Sequence, residues 1–353
     1  GSADGKRPTA ATAARKMITA PAKPKRPKRS KALAAGVAII CIFAFAALFA
    51  GFLAPYDYRE QTRQEPSAPP TTLRFVAAEG TFHPRPFIYS RRLVDAREMR
   101  YEEDPSRPFP VELLVRGSTY SLLGLTDTNL HLFGITGDDS PRIRLLGTDQ
   151  LGRDRFSRLV YAIRFSLIVS PLGMLFACLL GIIIGSVSGY SHRSIDGAIM
   201  AVADTMISLP TLILILAARA AFPLELPPFT AGTLLVGIFA LTGWAEMARL
   251  TRGLVVSVKE REFIVAARSI GASEAGIVWR HVLPNIASPL VIQATLILPA
   301  FLLAEVALSF LGVGLQEPEP TLGNMLALAS DLTQLRDLPF LTLSPAVAVC
   351  LVV

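Results

Sequence analysis

Long uncharged apolar runs dominate this sequence and limit what the chain can fold into. Four of them have about 20 residues or more, the length at which a helix crosses the hydrocarbon core of a bilayer. They lie at 32–56, 165–192, 226–245 and 281–304. A fifth run, 197–222, contains the acid Asp204, and a sixth begins near residue 338. With 51% hydrophobic residues, the chain is too apolar for an ordinary soluble protein.

These runs predict an all-α polytopic membrane protein with six spans. The sixth run offers only about 16 residues before the sequence ends, fewer than the roughly 20 that a span needs. The sequence also begins with Gly-Ser and no Met. We therefore expect a fragment or a trimmed chain whose last span is truncated and whose C-terminal residues are missing.

The positive charge is concentrated at the N-terminus. The net charge of the chain is +7, but residues 1–33 alone carry ten Lys and Arg against one acid, Asp4. We predict that residues 1–31 form a disordered basic cytoplasmic tail, because their composition cannot build a core. Since the first span, 32–56, follows at once, contact with anionic membrane lipids is favoured over nucleic-acid binding, and no nucleic-acid partner is expected.

The positive-inside rule orients the remaining loops. With the tail inside, the segment 57–150 lies outside. The loop 249–284 then lies inside, with six basic residues against three acids, and 313–337 lies outside, with one basic residue against four acids. The charges of both short loops agree with this orientation.

The segment 57–150 is expected to form a small, strand-containing extracytoplasmic insertion. It is rich in Pro at its beginning, and β-prone residues at 111–115 and 119–123 flank Arg116, Gly117 and Ser118. This pattern predicts a β-hairpin with its turn at the Arg-Gly-Ser tripeptide. Whether the insertion contacts substrate, contacts a partner or shields one stays open.

A helix that combines an apolar stripe with arginines follows the insertion. The apolar positions have helical spacing, at Phe156, Leu159, Val160 and Ile163. The opposing positions are Arg155, Arg158 and Arg164. The pattern predicts an interfacial helix that lies on the outer leaflet before the chain turns into the span 165–192.

Small residues mark a packing face on that span. Gly181, Gly185 and Gly189 repeat every four residues and therefore share one face of a helix. In a bilayer such residues let two helices approach closely. Packing against a partner chain and packing within this chain are both open.

A few polar side chains lie within or beside the spans, where they are costly and therefore informative. Asn285 and Gln293 lie two turns apart on one face, and Glu305 follows an uncharged run. All three are candidates for lining a passage, and hydrogen bonding between helices is the other interpretation. Glu246 and Arg249 lie one turn apart near the inner face, where they could pair.

The inner loop contains an amphipathic helix–Gly–helix segment at 262–284. Phe263, Ala266, Ala267 and Ile270 follow helical spacing. Gly271 lies where a helix would stop, and Ser273 can cap the next one. An apolar stripe on a water-exposed loop of a membrane protein needs a partner to cover it. An ordinary amphipathic loop is the alternative.

This segment resembles the EAA loop of permease subunits in binding-protein-dependent ABC importers, whose pattern is E-A-A, three residues, Gly, nine residues, then x-x-L-P. The Glu of the pattern falls at Val265, and Glu262, one turn earlier, is a possible substitute for its charge. The resemblance implies an ATPase-coupling loop within 251–284. Its expected residues are Glu262, Phe263, Val265, Ala266, Ala267, Ile270, Gly271, Ala272, Ser273, Leu283 and Pro284.

Two further runs strengthen the resemblance. L-G-T-D-Q-L-G-R-D at 146–154 looks like a motif of C-type oligopeptide permease subunits, and F-L-L-A-E-V-A-L-S-F-L-G-V-G at 301–314 also fits the family. The resemblance implies a six-span bundle of the type I, MetI-like importer kind, with its transmembrane core at 151–353. The long insertion is similar to that of the broad-range oligopeptide and microcin C subgroup.

The same resemblance implies the partners and the location. They are a sister permease that completes a heterodimer, two cytoplasmic ATPases and an extracytoplasmic solute-binding protein, in the inner membrane of a bacterium. Nothing in the sequence identifies the cargo, so a permease for nickel or another small solute stays open beside one for oligopeptides or dipeptides. An ion-coupled secondary transporter is the alternative from another class, and it would need acids near the midplane and an internal repeat.

The chain is not expected to be an enzyme or to bind a cofactor. It contains no G-x-x-x-x-G-K-[ST] sequence, so ATP would be hydrolysed by the partner subunits. Its three cysteines lie in apolar runs and its four histidines are scattered without ligand spacing, so no metal site is predicted.

Overall fold

A computed structural model describes residues 31–122, 126–137, 140–327 and 340–353. The chain divides into two compact units, Gly1–Ile40 and Cys41–Val353. The described part of the first unit is the beginning of helix α1 (Lys31–Leu48), where Val37 and Ile40 are exposed. The predicted basic tail, 1–31, lies almost entirely outside the described residues.

The segment 57–150 carries all five strands of the described structure, after the short helix α2 (Ala50–Leu53). Strands β1 (Arg74–Val76), β2 (Phe82–Asp95) and β3 (Arg100–Pro110) form an antiparallel sheet in that order. Strands β4 (Glu112–Leu122) and β5 (Thr126–Gly134) form a separate antiparallel pair.

The predicted hairpin turn at Arg116-Gly117-Ser118 is wrong, because these residues lie inside β4. The register of β4 against β5 shifts between Arg116 and Tyr120, so the tripeptide forms an irregularity within a strand. The ring of His131 lies against Gly117, where a Cβ would come within 2.8 Å of it. The ring nitrogens of His131 bond the carbonyls of Ala54 and Ser118, at 2.6 and 2.9 Å. Gly117 therefore leaves room for a histidine that holds the strand pair to the end of α2.

The helical part consists of long apolar helices joined by short ones. The elements are α3 (Arg155–Tyr190), α4 (Arg193–Ser208), α5 (Thr211–Ala220), α6 (Pro228–Val258), α7 (Glu262–Ser269), α8 (Glu274–Ile277), a π-helix (Val278–Val282), α9 (Leu283–Phe310), α10 (Leu322–Ala327) and α11 (Phe340–Val352). Within the described residues, three continuous helices are long and apolar enough to span a membrane: α3, α6 and the run from α8 through α9.

The other three of the six predicted spans are not long continuous helices in the described structure. The predicted span 197–222 is a pair of helices, α4 and α5, bent by 93° at the break before Thr211. Pro210 explains the break, because its ring disfavours helical geometry at Leu209 and it lacks an N–H. The first and last predicted spans coincide with shorter apolar helices, Gly36–Leu48 and Thr342–Val352.

The predicted interfacial helix is also wrong, because α3 runs without a break for 36 residues. Two of the three arginines expected to face lipid headgroups are instead buried, since Arg155 and Arg158 are each 1% exposed, and Arg164 is partly buried. Arg158 is neutralised by the carboxylate of Glu317, which follows α9 in the chain. A charge that is paired inside the protein does not need the lipid headgroups to neutralise it. Arg158 can therefore lie in the first turn of a helix that continues into the apolar run 165–192.

Helix α3 packs along α6, and α9 packs against both. Gly181, Gly185 and Gly189 face α6 of the same chain, and a Cβ on any of them would come within 2.4 to 2.7 Å of atoms in α6. Toward the other end of the bundle, the rings of Phe239 and Phe301 stack with centroids 4.6 Å apart. The glycine face thus lets α3 and α6 approach closely and form the framework on which the loop after α6 and a cavity are built.

Candidate coupling loop, cavity and outer ion pairs

Helix α7 is fixed to the bundle by one narrow apolar face. Ile264 is fully buried and Ala267 is 7% exposed, and both belong to the core cluster that contains Val255 and Val258 of α6. The spacing of three residues places Ile264 and Ala267 on one side of the helix. This face joins α7 to the core cluster of the helical bundle.

A neighbouring face of α7 is apolar and exposed. Ile270 is 87% exposed and Phe263 39%, and Ala266 is exposed beside them. The predicted stripe is therefore divided: Phe263, Ala266 and Ile270 face outward, and Ala267 belongs to the buried face with Ile264. Glu262 and Val265 are exposed at the edges of the outward face. We call Phe263, Ala266 and Ile270 the outward face.

The turn after α7 depends on backbone geometry. Gly271 has φ +84°, a left-handed conformation. The N–H of Gly271 donates to the carbonyl of Arg268 (3.0 Å) and that of Ala272 to the carbonyl of Ala267 (3.2 Å), the two bonds of a Schellman motif. Ser273 then caps α8 by accepting from the N–H of Gly276 at 3.2 Å. Both turn residues act as the sequence predicts from helix capping.

An ion pair closes this turn on its exposed side. Arg268 donates to the two carboxylate oxygens of Glu274, at 2.7 and 3.0 Å. Both side chains are about half exposed, so water screens the attraction between their charges. Its value is geometric, because it links the last turn of α7 to the first residue of α8.

The loop continues into the membrane without a break. Helix α8, the π-helix and α9 form one helical run from Glu274 to Phe310. Pro284 cannot donate to the carbonyl of Arg280, and the wider π turn lies directly before it. Leu283 packs against the core cluster beside it. The turn at Gly271 and this helical run thus connect α7 to the N-terminal end of α9 along the chain.

A cavity of about 540 Å³ lies between α5, α6 and α9. Most of its lining is apolar, with Ile215, Leu296 and Phe301 among the walls. Gln293 and Glu246 supply polar groups, and the Gln293 side-chain amide donates to Glu246 Oε2 at 3.4 Å. Sequence reasoning did not select Glu246 as a cavity residue, although it is the first charge after the apolar run 226–245.

The three predicted pathway residues are separated by the structure. Gln293 lines the cavity, whereas the Asn285 amide donates to the carbonyl of His281 at 2.6 Å and is not among the lining residues. Glu305 is fully buried and accepts from the hydroxyls of Ser166 (2.5 Å) and Ser309 (3.0 Å). Glu305 thus joins α9 to α3 and does not face the cavity.

Ion pairs of two buried arginines hold the run 146–154. Arg153 donates to Asp149 Oδ2 (2.7 Å) and to Glu317 Oε2 (2.5 Å). Arg158 donates to Glu317 Oε1 at 2.8 Å and to the carbonyl of Pro318 at 3.1 Å. Glu317 therefore ties the loop after α9 to the beginning of α3. Sequence reasoning missed Glu317, since no pattern near it predicts a partner that lies more than 150 residues away.

The last residue of that run caps α3. Asp154 is fully buried and accepts from the N–H of Ser157 (2.8 Å) and from its hydroxyl (2.7 Å). Burial raises the pKa of Asp154, and the nearby Arg144 guanidinium, at 3.8 Å, opposes that rise. The two glycines of the run, Gly147 and Gly152, both have left-handed φ, +71° and +73°. The motif is thus a compact structural unit at the N-terminal end of α3.

Comparison with known proteins shows the family of this chain. A family described as binding-protein-dependent transport system inner membrane component matches residues 181–353, and the N-terminal TM domain of oligopeptide transport permease C matches residues 25–70. A permease protein of Brucella suis biovar 1 is 34% identical over 209 residues, which cover 59% of this chain and 67% of that protein. The chain belongs to the family of binding-protein-dependent inner membrane components.

The two matches confirm the predicted resemblance to C-type permeases, and with it an integral membrane protein. The dipeptide transport system permease protein DppC of Bacillus subtilis is 37% identical over 179 residues, 51% of this chain and 54% of that protein. The protein of the same name from Alkalihalophilus pseudofirmus is also 37% identical, over 59% of this chain and 66% of that protein. The chain thus spans between about half and two thirds of the length of these relatives.

A solved structure is similar over a comparable stretch. The inward-facing MetNI methionine ABC transporter matches 55% of this chain and 89% of its own chain, with 19% identity and a TM-score of 0.40.

Proposed function

We propose that the chain is the C-type permease subunit of an ATP-driven ABC importer for oligopeptides or dipeptides. It forms part of the translocation pathway and pairs with a sister permease. Two cytoplasmic ATPases bind its inner loop, and an extracytoplasmic solute-binding protein delivers the cargo. The family supports a membrane component that works with a binding protein, and the names of the Bacillus and Alkalihalophilus relatives support peptides as cargo.

One observation supports the proposal most directly: one continuous segment of the chain contains the outward face and a wall of the cavity. Ile270 exposes 87% of its surface at the end of α7, and Ile264 joins that helix to the core cluster of the bundle. The same segment continues through the π-helix into α9, whose residues Gln293 and Phe301 line the cavity. An ATPase that grips the outward face in one nucleotide state and releases it in another would bias two arrangements of the cavity helices.

The decisive experiment is uptake by the whole complex in proteoliposomes, with the binding protein on the outer side. We expect labelled peptide to accumulate only when the ATPases have ATP, and we expect a protonophore to leave uptake unchanged. Uptake of Ni²⁺ in place of peptide would refute the proposal that the cargo is a peptide. Peptide uptake that ignores ATP and stops with the protonophore would instead support an ion-coupled transporter, for which Glu246 in the cavity is the acid to consider.

The proposed orientation has its own test. The outward face must lie in the cytoplasm, as must the basic tail. A cysteine introduced at Val265, which is 50% exposed, should react with an impermeant thiol reagent only from the cytoplasmic side. Labelling from the outer side would overturn both the topology and the coupling role.

A further inference from the structure

Glu246 carries a carboxylate that no cation of the described chain neutralises. Its neighbour Arg249, one turn along α6, forms its ion pair with Asp204 of α4 instead, at 3.1 Å. The one hydrogen bond to Glu246 in the described part of the chain comes from the neutral amide of Gln293, at 3.4 Å. The predicted pairing of Glu246 with Arg249 is therefore replaced by a carboxylate that faces the cavity.

A carboxylate in this position needs a counter-charge at some stage of the transport cycle. Ionised groups at membrane depth are expensive and are found facing interior cavities, paired, or on the route of a substrate. Gln293 lies ten residues into α9, so at 1.5 Å per residue it is about 15 Å from the start of that helix. Glu246 beside it thus lies away from either end of α9, with its side chain exposed toward the cavity.

The surroundings of Glu246 favour a cargo group as the partner. Among the described residues that line the cavity, Glu246 is the one charged side chain. The hydroxyl of Thr242, also in the lining, is already donated to the carbonyl of Ile238 at 2.9 Å. The cavity volume of about 540 Å³ is within the range of small-ligand sites, roughly 300 to 1,000 Å³. One carboxylate in an otherwise apolar chamber can fix the charged end of a ligand while the walls accept varied side chains.

We propose that Glu246 binds the ammonium group of the cargo as it crosses the cavity, with Gln293 positioning the carboxylate. The proposal rests on the proposed function, because it assumes that peptides pass here. Every unblocked peptide carries an α-ammonium group whatever its sequence, and a Lys side chain offers the same chemistry. A charge-assisted hydrogen bond to this group recognises a peptide without selecting among residue types.

The experiment compares trialanine, N-acetyl-trialanine and N-acetyl-Ala-Ala-Lys in proteoliposomes that contain the whole complex. The Glu246→Gln variant should reduce uptake of trialanine relative to N-acetyl-trialanine by about tenfold, the effect of losing one charge-assisted hydrogen bond. The binding protein is the same in both complexes, so a change of this ratio reports on the permease. The lysine peptide shows whether a side-chain ammonium replaces the terminal one.

Two controls make the result unambiguous. Glu225→Gln removes a carboxylate from an exposed position between α5 and α6, outside the cavity lining, and should leave the ratio unchanged. Glu246→Asp keeps the charge and should retain most of the preference. If wild-type complex takes up peptide and Glu246→Gln keeps the wild-type ratio, the inference fails while the proposed function stands. Loss of the sister permease from Glu246→Gln complexes, with an unchanged ratio, would also overturn it. Absence of any peptide uptake by wild type would overturn both.

Discussion

Gly185 of α3 lies directly against the backbone of Ala248 in α6, so that a Cβ at this glycine would come within 2.4 Å of the Ala248 carbonyl oxygen. A backbone oxygen in a long helix cannot move away as a flexible side chain can. We therefore expect Gly185→Ala to destabilise the protein by about 1–3 kcal/mol, the usual cost of overpacking. The measurement is the apparent unfolding temperature of the purified protein in detergent.

Gly253 gives the matched control, because it also lies within a helix of this bundle but has no atom within 4 Å of its would-be Cβ. Gly253→Ala should be neutral or stabilising by roughly 0.5–1 kcal/mol, since it lowers the entropy lost by the backbone. Equal unfolding temperatures for the two variants would show that the close contact of α3 and α6 does not limit stability.

The turn at Gly271 should tolerate a larger side chain more readily than it tolerates a change of backbone conformation. Its surroundings are open, since a Cβ at this position would have no atom within 4 Å, but its φ is +84°. A β-branched residue in the left-handed region costs about 1–2 kcal/mol, whereas Asn adopts it more readily. We expect ATPase recovered with the permease to fall in the order Gly271, Gly271→Asn, Gly271→Val. Equal recovery with Asn and Val would point to a cause other than the backbone conformation.

Ile270 is the side chain of the outward face that a partner would cover most fully. Since it is 87% exposed, Ile270→Asp should change the free energy of unfolding by less than about 0.5 kcal/mol. In the membrane, the same substitution should abolish co-purification of the ATPases and ATP-dependent uptake. Leu311→Asp, at an exposed position just after α9, is the control and should leave ATPase binding intact. Full ATPase recovery with Ile270→Asp would contradict the docking role.

Local patterns predicted those features that depend on neighbours in the sequence. The spacing of Phe263 and Ile270 identifies the amphipathic helix α7, and Gly271 and Ser273 lie at its end and at the next cap, as capping rules require. The stripe alone did not tell which edge of it is buried. That depends on where α6 presents Val255 and Val258, and on Ile264, which lies just outside the stripe.

Features that depend on residues far apart in the chain could not be predicted from the sequence. The buried Arg158 was predicted at the membrane surface because its partner Glu317 is 159 residues away in the chain. Glu246 was paired in sequence with the nearest cation, Arg249, but the fold brings Asp204 to Arg249 and leaves Glu246 to the cavity. In both cases the ion-pair partner is set by tertiary structure, and sequence spacing alone cannot identify it.

Asp154 should make stability depend on pH, with a sign opposite to that of an ordinary salt-bridged carboxylate. It is fully buried, its Oδ1 has no hydrogen-bond partner in the described part of the chain, and burial holds its pKa above the ordinary value. Between the unfolded and folded pKa values, the folded protein keeps a proton that the unfolded chain has lost. Stability therefore falls as pH rises through this window, which begins near the ordinary Asp pKa of about 4.

The Asp154→Asn variant isolates this contribution, because its amide oxygen can still accept from the N–H of Ser157 while the titrating group is gone. We expect the apparent unfolding temperature of the wild type to decline relative to the variant as pH rises above about 4, until the folded pKa is passed. Arg144, at 3.8 Å, opposes the effect, because a guanidinium favours the ionised carboxylate. Parallel pH profiles for the two proteins would show that the pairing with Arg144 outweighs burial and that Asp154 is already ionised in the folded state.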